Sequence, residues 1–332
     1  MSIFTRVAGV AGLALLAASC GSDAKIETAS SAAPSAAATT RATTPATTAQ
    51  VAEGSVFTAA SAGGATITLT AKPVKIVSLS PTHTEMLFAI GAGAQVIAVD
   101  DQSNFPAEAS KVASTLSGFT PNIEAIAGYK PDLVVIADDS NGVGEQLAKL
   151  KIPTWSGPAA TSLDDVYTQI EQLGALTGHV ADAVAVTAQM TKDVADITAQ
   201  IPKLDKPMTY YHELDPTYYS STSKTFIGQI YQMAGLQNIA DKADDGSGYP
   251  QLSSEFIVSA SPDLIFLADT KCCAQTKETV TARDGWSAIA AVKNGNVINM
   301  DDDTASRWGP RVVDYLRAVA EAVKAAASVS AG

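Results

Sequence analysis

Glu124-Ala125-Ile126-Ala127-Gly128-Tyr129-Lys130-Pro131-Asp132-Leu133-Val134-Val135-Ile136-Ala137-Asp138 returns as Glu255-Phe256-Ile257-Val258-Ser259-Ala260-Ser261-Pro262-Asp263-Leu264-Ile265-Phe266-Leu267-Ala268-Asp269. The offset is 131 residues throughout, and both copies read E-x-I, four residues, P-D-L, an apolar run, then Ala-Asp. The apolar run behind each Pro-Asp reads as a buried strand, and the stretch before it as a short helix. A repeat of so long a period means two similar lobes, each able to bury its own core, rather than a short-period solenoid. Two like lobes leave a cleft between them, and ligand sites prefer such interfaces.

Working outward, strands alternate with helices on both sides of each copy, the signature of a parallel sheet covered on both faces. Upstream, Ala65 to Thr70 and Lys75 to Leu79 read as strands. Ser80-Pro81 then opens a helix, with Ser80 as N-cap and Pro81 at the first helical position. That helix closes at Gly91-Ala92-Gly93, and Val96 to Asp100 is the next strand. Between the copies, residues 162 to 200 are nearly all helix, broken near Gly178-His179. The piece from Val180 to Ile201 holds no Gly or Pro, and at 1.5 Å per residue it spans about 30 Å. Lying between two repeated lobes, it reads as a rigid strut. After the strut, Met208 to Tyr211 is a strand and Thr225 to Met233 a helix ending at Gly235. Gly235-Leu236-Gln237-Asn238-Ile239-Ala240-Asp241 is a shorter echo of Gly91 to Asp100. Val297 to Met300 adds a strand and Val312 to Ala326 a closing helix.

The N-terminal segment reads as targeting sequence. Arg6 precedes about a dozen apolar residues, too few to span a bilayer but right for a signal peptide. Residues 1–19 are therefore expected to be signal. Cys20, after Leu16-Ala17-Ala18-Ser19 and before a polar stretch, resembles the lipidated cysteine of a bacterial lipoprotein. Residues 20–64 are Ala, Thr, Ser, Pro and Gly with few large apolar side chains, a composition that cannot offset chain entropy and reads as a tether. The expected boundaries then run 65–178 for the N-terminal lobe, 179–202 for the interlobe helix and 203–328 for the C-terminal lobe. The chain carries 34 acidic against 22 basic residues, a net charge of −12. With no basic run, nucleic acid is not an expected partner. No G-x-S-x-G elbow, H-E-x-x-H or phosphate loop is present, so no enzyme class is indicated.

At this point the residues resemble a known family. The run Ile76-Val77-Ser78-Leu79-Ser80-Pro81-Thr82-His83-Thr84-Glu85-Met86-Leu87, the two E-x-I…P-D-L segments and Arg307-Trp308-Gly309-Pro310-Arg311 are similar to substrate-binding proteins of ABC importers for cobalamin, haem and iron-siderophores. The likeness is nearest to the cobalamin-binding members and covers about residues 70 to 327. It implies an α/β fold of two Rossmann-like lobes with parallel sheets, joined by a single long interlobe helix, with the cleft between the lobes. It implies a monomeric receptor on the outer face of the cell membrane, without a cofactor of its own, carrying a metal chelate or corrinoid. It also gives the repeated glutamates a role. Glu124 and Glu255 match the family's surface glutamates, one per lobe, that dock on arginines of the permease dimer.

Ligand contacts in such folds come from the carboxyl ends of the strands. That address selects His83, Thr84, Phe119, Asp138, Asp139, His212, Tyr218, Tyr219, Tyr249, Asp303, Arg307 and Trp308. The family's aromatic slots fall near Phe119, Tyr218 or Tyr219, and Tyr249. His83 and His212 stand as ligand hydrogen-bonders, metal ligands with Glu85, Glu213 or Asp303, or loop structure. Cys272 and Cys273 stand as a vicinal disulfide, two free thiols or part of a soft-metal site. A bare divalent ion as cargo and a surface lipoprotein that senses without transport remain alternatives.

Overall fold

The computed structural model describes residues 56–61, 64–139 and 141–330. Cys20, the signal segment and most of the expected tether lie outside the described residues.

The first two strands form a separate antiparallel hairpin, β1 (Phe57–Ala60) with β2 (Thr66–Leu69). β1 corrects the expected tether boundary at residue 64. Phe57 and Ala59, two residues apart, point to one side and join the core, with Ala59 buried. Trp155 Nε1 donates to Ala60 O at 3.1 Å and Ser61 Oγ to Ser156 O at 3.2 Å, so the hairpin is tied down. A pattern two residues long is too short for composition to reveal.

The N-terminal lobe carries β3 (Ile76–Leu79), α1 (Pro81–Ala89), β4 (Val96–Asp100), β5 (Ala113–Leu116), α2 (Ile123–Gly128), β6 (Leu133–Ile136), α3 (Val143–Lys149) and β7 (Thr154–Ser156). The strands are parallel in the order β5-β4-β3-β6-β7. Ser80 Oγ accepts from His83 N, Pro81 begins α1, and Gly91 follows in the left-handed region at φ 82°. Then come α4 (Leu163–Thr177), opened by a Ser162/Asp165 capping box, and α5 (Val180–Ala199). The second lobe carries β8 (Thr209–Glu213), α6 (Phe226–Met233), β9 (Gln237–Asn238), α7 (Ser254–Ala260), β10 (Leu264–Leu267), α8 (Lys277–Thr281), α9 (Ala290–Lys293), β11 (Val297–Asn299), α10 (Asp302–Ser306) and α11 (Val312–Ser330). Its strands are also parallel, in the order β11-β10-β8-β9.

The two orders superimpose as β4-β3-β6-β7 on β9-β8-β10-β11, with β5 extra. The weak sequence echo after Gly235 is real but short, giving the two-residue β9 where the first lobe has the five-residue β4.

The 20-residue α5 packs against α4 and α11. Strand alternation sends Ile76, Leu133 and Val135 to one face and Val77, Val134 and Ile136 to the other. The first face joins α4 and α5 through Ile170, Leu173, Met190 and Ile197. It then continues into Tyr210, Tyr231, Phe266 and Leu316 of the second lobe as one apolar cluster. Outer faces close separately, around Leu79 and Leu147 in one lobe and around Ile257, Ile265 and Trp286 in the other. Close-packed interiors resist shear, so a core that runs through both lobes opposes wide opening.

Candidate functional site

The repeated segment resolves into a structural and an exposed part. Asp132 Oδ2 accepts from the backbone amides of Val74 and Lys75 at 2.9 and 3.0 Å. Asp263 Oδ2 accepts from Thr209 N and Oγ1 at 2.8 and 2.9 Å. Each Pro-Asp thus ties the new strand to the start of the lobe's first one, pairing Leu133 beside Ile76 and Leu264 beside Tyr210. The preceding helices begin alike, with Asn122 and Ser253 as N-caps. Glu124 and Glu255 stand exposed in the first turns. The backbone amide of Glu255 and the Ser253 hydroxyl hold the Glu255 carboxyl below its usual range. The pair is therefore solvent-facing and in equivalent places.

The carboxyl ends of both sheets meet at the lobe junction. A cavity of about 90 Å³ there is lined by Ala160 from the first lobe and by Phe226, Tyr249, Arg307, Trp308 and Tyr315 from the second. A groove of about 290 Å³, also lined by Ala160 and Tyr249, runs past Thr161, Lys224 and Gly246 to Gly248. In the first lobe, Leu79, Phe119, Asp138 and Asn141 line a hollow of about 120 Å³. A Cβ on Gly118 would lie 2.8 Å from Leu79 O, so only glycine lets the Phe119 loop rest on the end of β3. Phe119 is 78% exposed and Tyr249 46%, which leaves two aromatic faces open at the hollow and the groove, while Tyr219, 41% exposed, lines none of these three cavities. Such faces suit a broad apolar partner.

Several residues with a cleft address are placed elsewhere. His83 is wholly buried. Its Nδ1 meets Ser80 Oγ at 2.8 Å and its Nε2 meets Gln169 Oε1 at 3.0 Å. Gln169 Nε2 is committed to Pro158 O, so Oε1 accepts and His83 Nε2 carries the proton. Burial lowers the His83 pKa to about 4, against the opposing Gln169 hydrogen bond. Gly157 covers it, since a Cβ there would sit 2.6 Å from Nε2. Thr84 is also buried, bonded to Ser78 and Ser103. His212 lies inside the second lobe, where burial lowers its pKa to about 3. Its Nδ1 meets Tyr231 Oη at 2.8 Å, and Tyr231 meets Tyr315 at 2.5 Å. Tyr218 turns inward, stacked on Trp286 at 5.9 Å. Asp139 is exposed but engaged, accepting from Gly144 N in the first turn of α3 at 2.7 Å. Neither histidine reaches the surface, which removes both from the expected ligand-contact set.

Asp303, Arg307 and Trp308 do lie at the junction, but the first two face each other and the opposite lobe. Arg307 Nη1 binds Glu85 Oε1 and Asn104 Oδ1, both at 2.8 Å, and Nη2 binds Asp303 Oδ1 at 2.9 Å. Arg311 Nε and Nη2 grip the same Glu85 carboxylate at 2.9 and 2.5 Å. Trp308 Nε1 donates to Gln169 Oε1 at 3.0 Å. Lys271 bridges Asp301 and Asp303 at 2.6 and 2.8 Å. Glu85, Asp301 and Asp303 therefore balance Lys271, Arg307 and Arg311. Asn104, Gln169 and Arg311 are not among the expected cleft residues, and Glu85 is among them only as a candidate metal ligand. Their signal in the sequence is only an acid in one lobe and two arginines in the other, more than 200 positions apart.

A second polar cluster lies in the second lobe. Arg283 pairs with Glu213 through two hydrogen bonds of 2.6 Å and sits 4.5 Å over the Trp286 ring. Asp269 is buried beside it, and no donor reaches its carboxylate oxygens. Burial first, and the Glu213 charge second, push the Asp269 carboxyl up to about 7. Glu85 and Glu213 are thus both engaged by guanidinium groups. Among the described residues, no group of three or more His, Cys, Asp or Glu is arranged to hold a metal ion. Cys272 and Cys273 have their sulfurs joined in the loop after β10.

Two parallel-sheet lobes on one connecting helix, meeting at an aromatic-edged junction, define a two-lobed solute-binding protein. Residues 76–304 match the sequence model of the periplasmic binding protein family, and the chain belongs to that family. Over 273 residues it is 32% identical to the cobalamin-binding protein of Halobacterium salinarum, spanning 80% of this chain and 73% of that one. It is 31% identical over 265 residues to the uncharacterized ABC transporter substrate-binding lipoprotein YvrC of Bacillus subtilis, spanning 77% and 82%. The crystal structure of a possible iron-binding periplasmic solute-binding protein of Staphylococcus epidermidis is similar at 26% identity. Its TM-score is 0.66, over 76% of this chain and 99% of that one.

Proposed function

We propose that this chain is a receptor of an ABC importer, anchored through Cys20 to the outer face of the cell membrane. It captures cobalamin or an iron chelate, such as haem or a ferric siderophore, in the interlobe cleft. It hands the ligand to a permease dimer through Glu124 and Glu255. The ligand undergoes no chemistry on the protein, and the receptor works as a monomer.

The observation that carries this reading is the equivalence of the two glutamates. Both are exposed, both start a helix that feeds the strand beside the lobe's first one, and the two lobes repeat one another. Two matched anions address the two halves of a two-fold symmetric cationic partner. Rim charges of this kind set orientation and association rate more than affinity. The test is uptake driven by Glu124→Lys and Glu255→Lys, singly and together. Uptake that survives the double reversal contradicts docking through these residues.

Within the chelate class, local charge favours a ligand rich in amides over one rich in carboxylates. The cations around the junction already hold carboxylates: Lys224 with Asp244, Lys271 with Asp301 and Asp303, Arg307 and Arg311 with Glu85. An anionic ligand reaching Arg307 or Arg311 would have to displace the buried Glu85 carboxylate, and a buried charge left unpaired is costly, whereas Lys224 and Lys271 are half exposed or more. A corrinoid, with amide side chains around a broad ring, meets the open aromatics without that penalty.

A further inference from the structure

The loop after β10 stands 131 residues beyond the loop after β6, and the two occupy matching places in the lobes. In the first lobe, Asp138 and Asn141 of that loop line the hollow beside Phe119. Their counterparts are Asp269 and Cys272.

The second loop offers a ligand something different. Its amides are already committed. Those of Thr270, Lys271 and Cys272 donate to the Asp302 carboxylate at 2.9, 2.8 and 2.9 Å. Those of Cys273 and Gln275 donate to Asp269 O at 3.3 Å each. The Lys271 ammonium is held by Asp301 and Asp303, and Asp303 also accepts from Asn104 of the opposite lobe at 3.1 Å. Ala274 is held at φ 53°, in the left-handed region that a side chain disfavours, which fixes the turn after the sulfurs. Cys272 is exposed and Cys273 half-buried. With amides and cation occupied, the joined sulfurs are the surface left to meet a ligand.

Resting on the receptor reading above, we propose that the Cys272–Cys273 disulfide is the second lobe's contact platform for the flat face or edge of a corrin or porphyrin. It stands as the counterpart of the Asp138 to Asn141 loop that lines the hollow beside Phe119 in the first lobe. Sulfur against a ring is a favourable contact between polarizable groups. The bond fixes both sulfurs in one arrangement, so little side-chain freedom is lost on binding. Opening it with a dithiol gives two thiols and the cyclic disulfide of the reagent, with two electrons and two protons transferred to the protein. The separated thiols regain their rotamers and the platform is lost.

The experiment uses the full chain, cyanocobalamin, and gallium protoporphyrin, which dithiols do not reduce. Thiol release by dithiothreitol is followed with and without ligand. Shielding of the bond by a bound macrocycle slows release about tenfold at ligand tenfold above its Kd. Cys272→Ser with Cys273→Ser binds the same macrocycle about five- to tenfold more weakly, the scale of one or two sulfur–ring contacts. If the double variant misfolds, the shielding measurement on the wild-type protein decides alone. Binding without any slowing of thiol release overturns the platform and leaves the receptor reading standing. Two alkylatable thiols in the unreduced protein overturn it as well. Failure of the oxidised protein to bind either macrocycle overturns both.

Discussion

Removing the Glu85 carboxylate tests how the lobes are held together. Its side chain is 1% exposed, and it accepts from Arg307, 7% exposed, and Arg311, 17% exposed, across the junction. Glu85→Ala leaves two guanidinium groups without that carboxylate, Arg307 nearly buried and Arg311 over the Phe105 ring at the edge of a hollow. Arg307 keeps Asp303, Asn104 and Gln102 O, whereas Arg311 loses the carboxylate that held it. Breaking a buried ion pair by deleting one partner costs about 3–5 kcal/mol. The partners that Arg307 retains place this case at the lower end, about 3 kcal/mol. For a folded unit of this size, 1 kcal/mol moves Tm by about 2–4 °C, so the expected loss is about 6–12 °C. Glu85→Gln, which keeps the shape and one acceptor, should lose about half as much. Calorimetry on wild type and both variants measures this, with small-angle scattering to report any opening of the lobes. A loss below about 2 °C for Glu85→Ala, with unchanged scattering, would refute the claim that this carboxylate latches the lobes.

Further expectations follow from the same geometry. Glu124→Lys with Glu255→Lys should cut transport about tenfold or more while leaving the ligand Kd unchanged, as expected of rim charges; a changed Kd would place these residues in the cleft instead. His212 has a folded pKa of about 3 against 6.5 when free, so the unfolded chain takes up its proton first and the native state loses stability as pH falls below about 6.5. At pH 5 that penalty is about 2 kcal/mol, and it should vanish from the pH 7-to-5 comparison of melts in His212→Asn. Asp269 shifts the other way, its carboxyl raised to about 7, so it penalises the native state progressively from about pH 4 and fully above pH 7. Asp269→Asn should therefore gain stability relative to wild type as pH rises from 5 to 8, and a flat difference across that range would contradict the buried acid pair. Scattering with and without cobalamin should show little compaction, because the apolar core runs through both lobes; a large change would contradict that rigidity.

The repeat, the capped helix at Ser80-Pro81 and the long helix before Pro202 were legible because each is local. Periodicity, caps and breakers act within a few residues. The two-lobe plan followed from them and from the 131-residue offset. What was not legible is set by distance or by facing. β8 shows this best. Its Tyr210 joins the core that runs through both lobes and Tyr211 the outer one, so His212, one step further, is buried beside Tyr231 and Glu213 meets Arg283 on the outer side. The sequence gives His212 a place near a strand end but not the depth of the layer above it. His83 is similar: its position after β3 suggested a ligand loop, while Gln169 of α4 and Gly157 close over it. The Glu85 latch joins residues of opposite lobes, and no local rule pairs them. β1 was missed for the opposite reason, being shorter than any pattern that separates a strand from a tether.

On the proposed function, the interlobe cleft takes a corrinoid or an iron chelate, the amide-rich corrinoid in preference to anionic ligands, and hands it on. The most direct measurement is calorimetric titration of the full chain with cyanocobalamin, haemin, a ferric siderophore and divalent ions side by side. Cyanocobalamin should bind with a Kd of about 1 μM or tighter, about −8 kcal/mol, and more tightly than the anionic ligands. Binding of bare divalent ions alone, or of none of the panel, would contradict it.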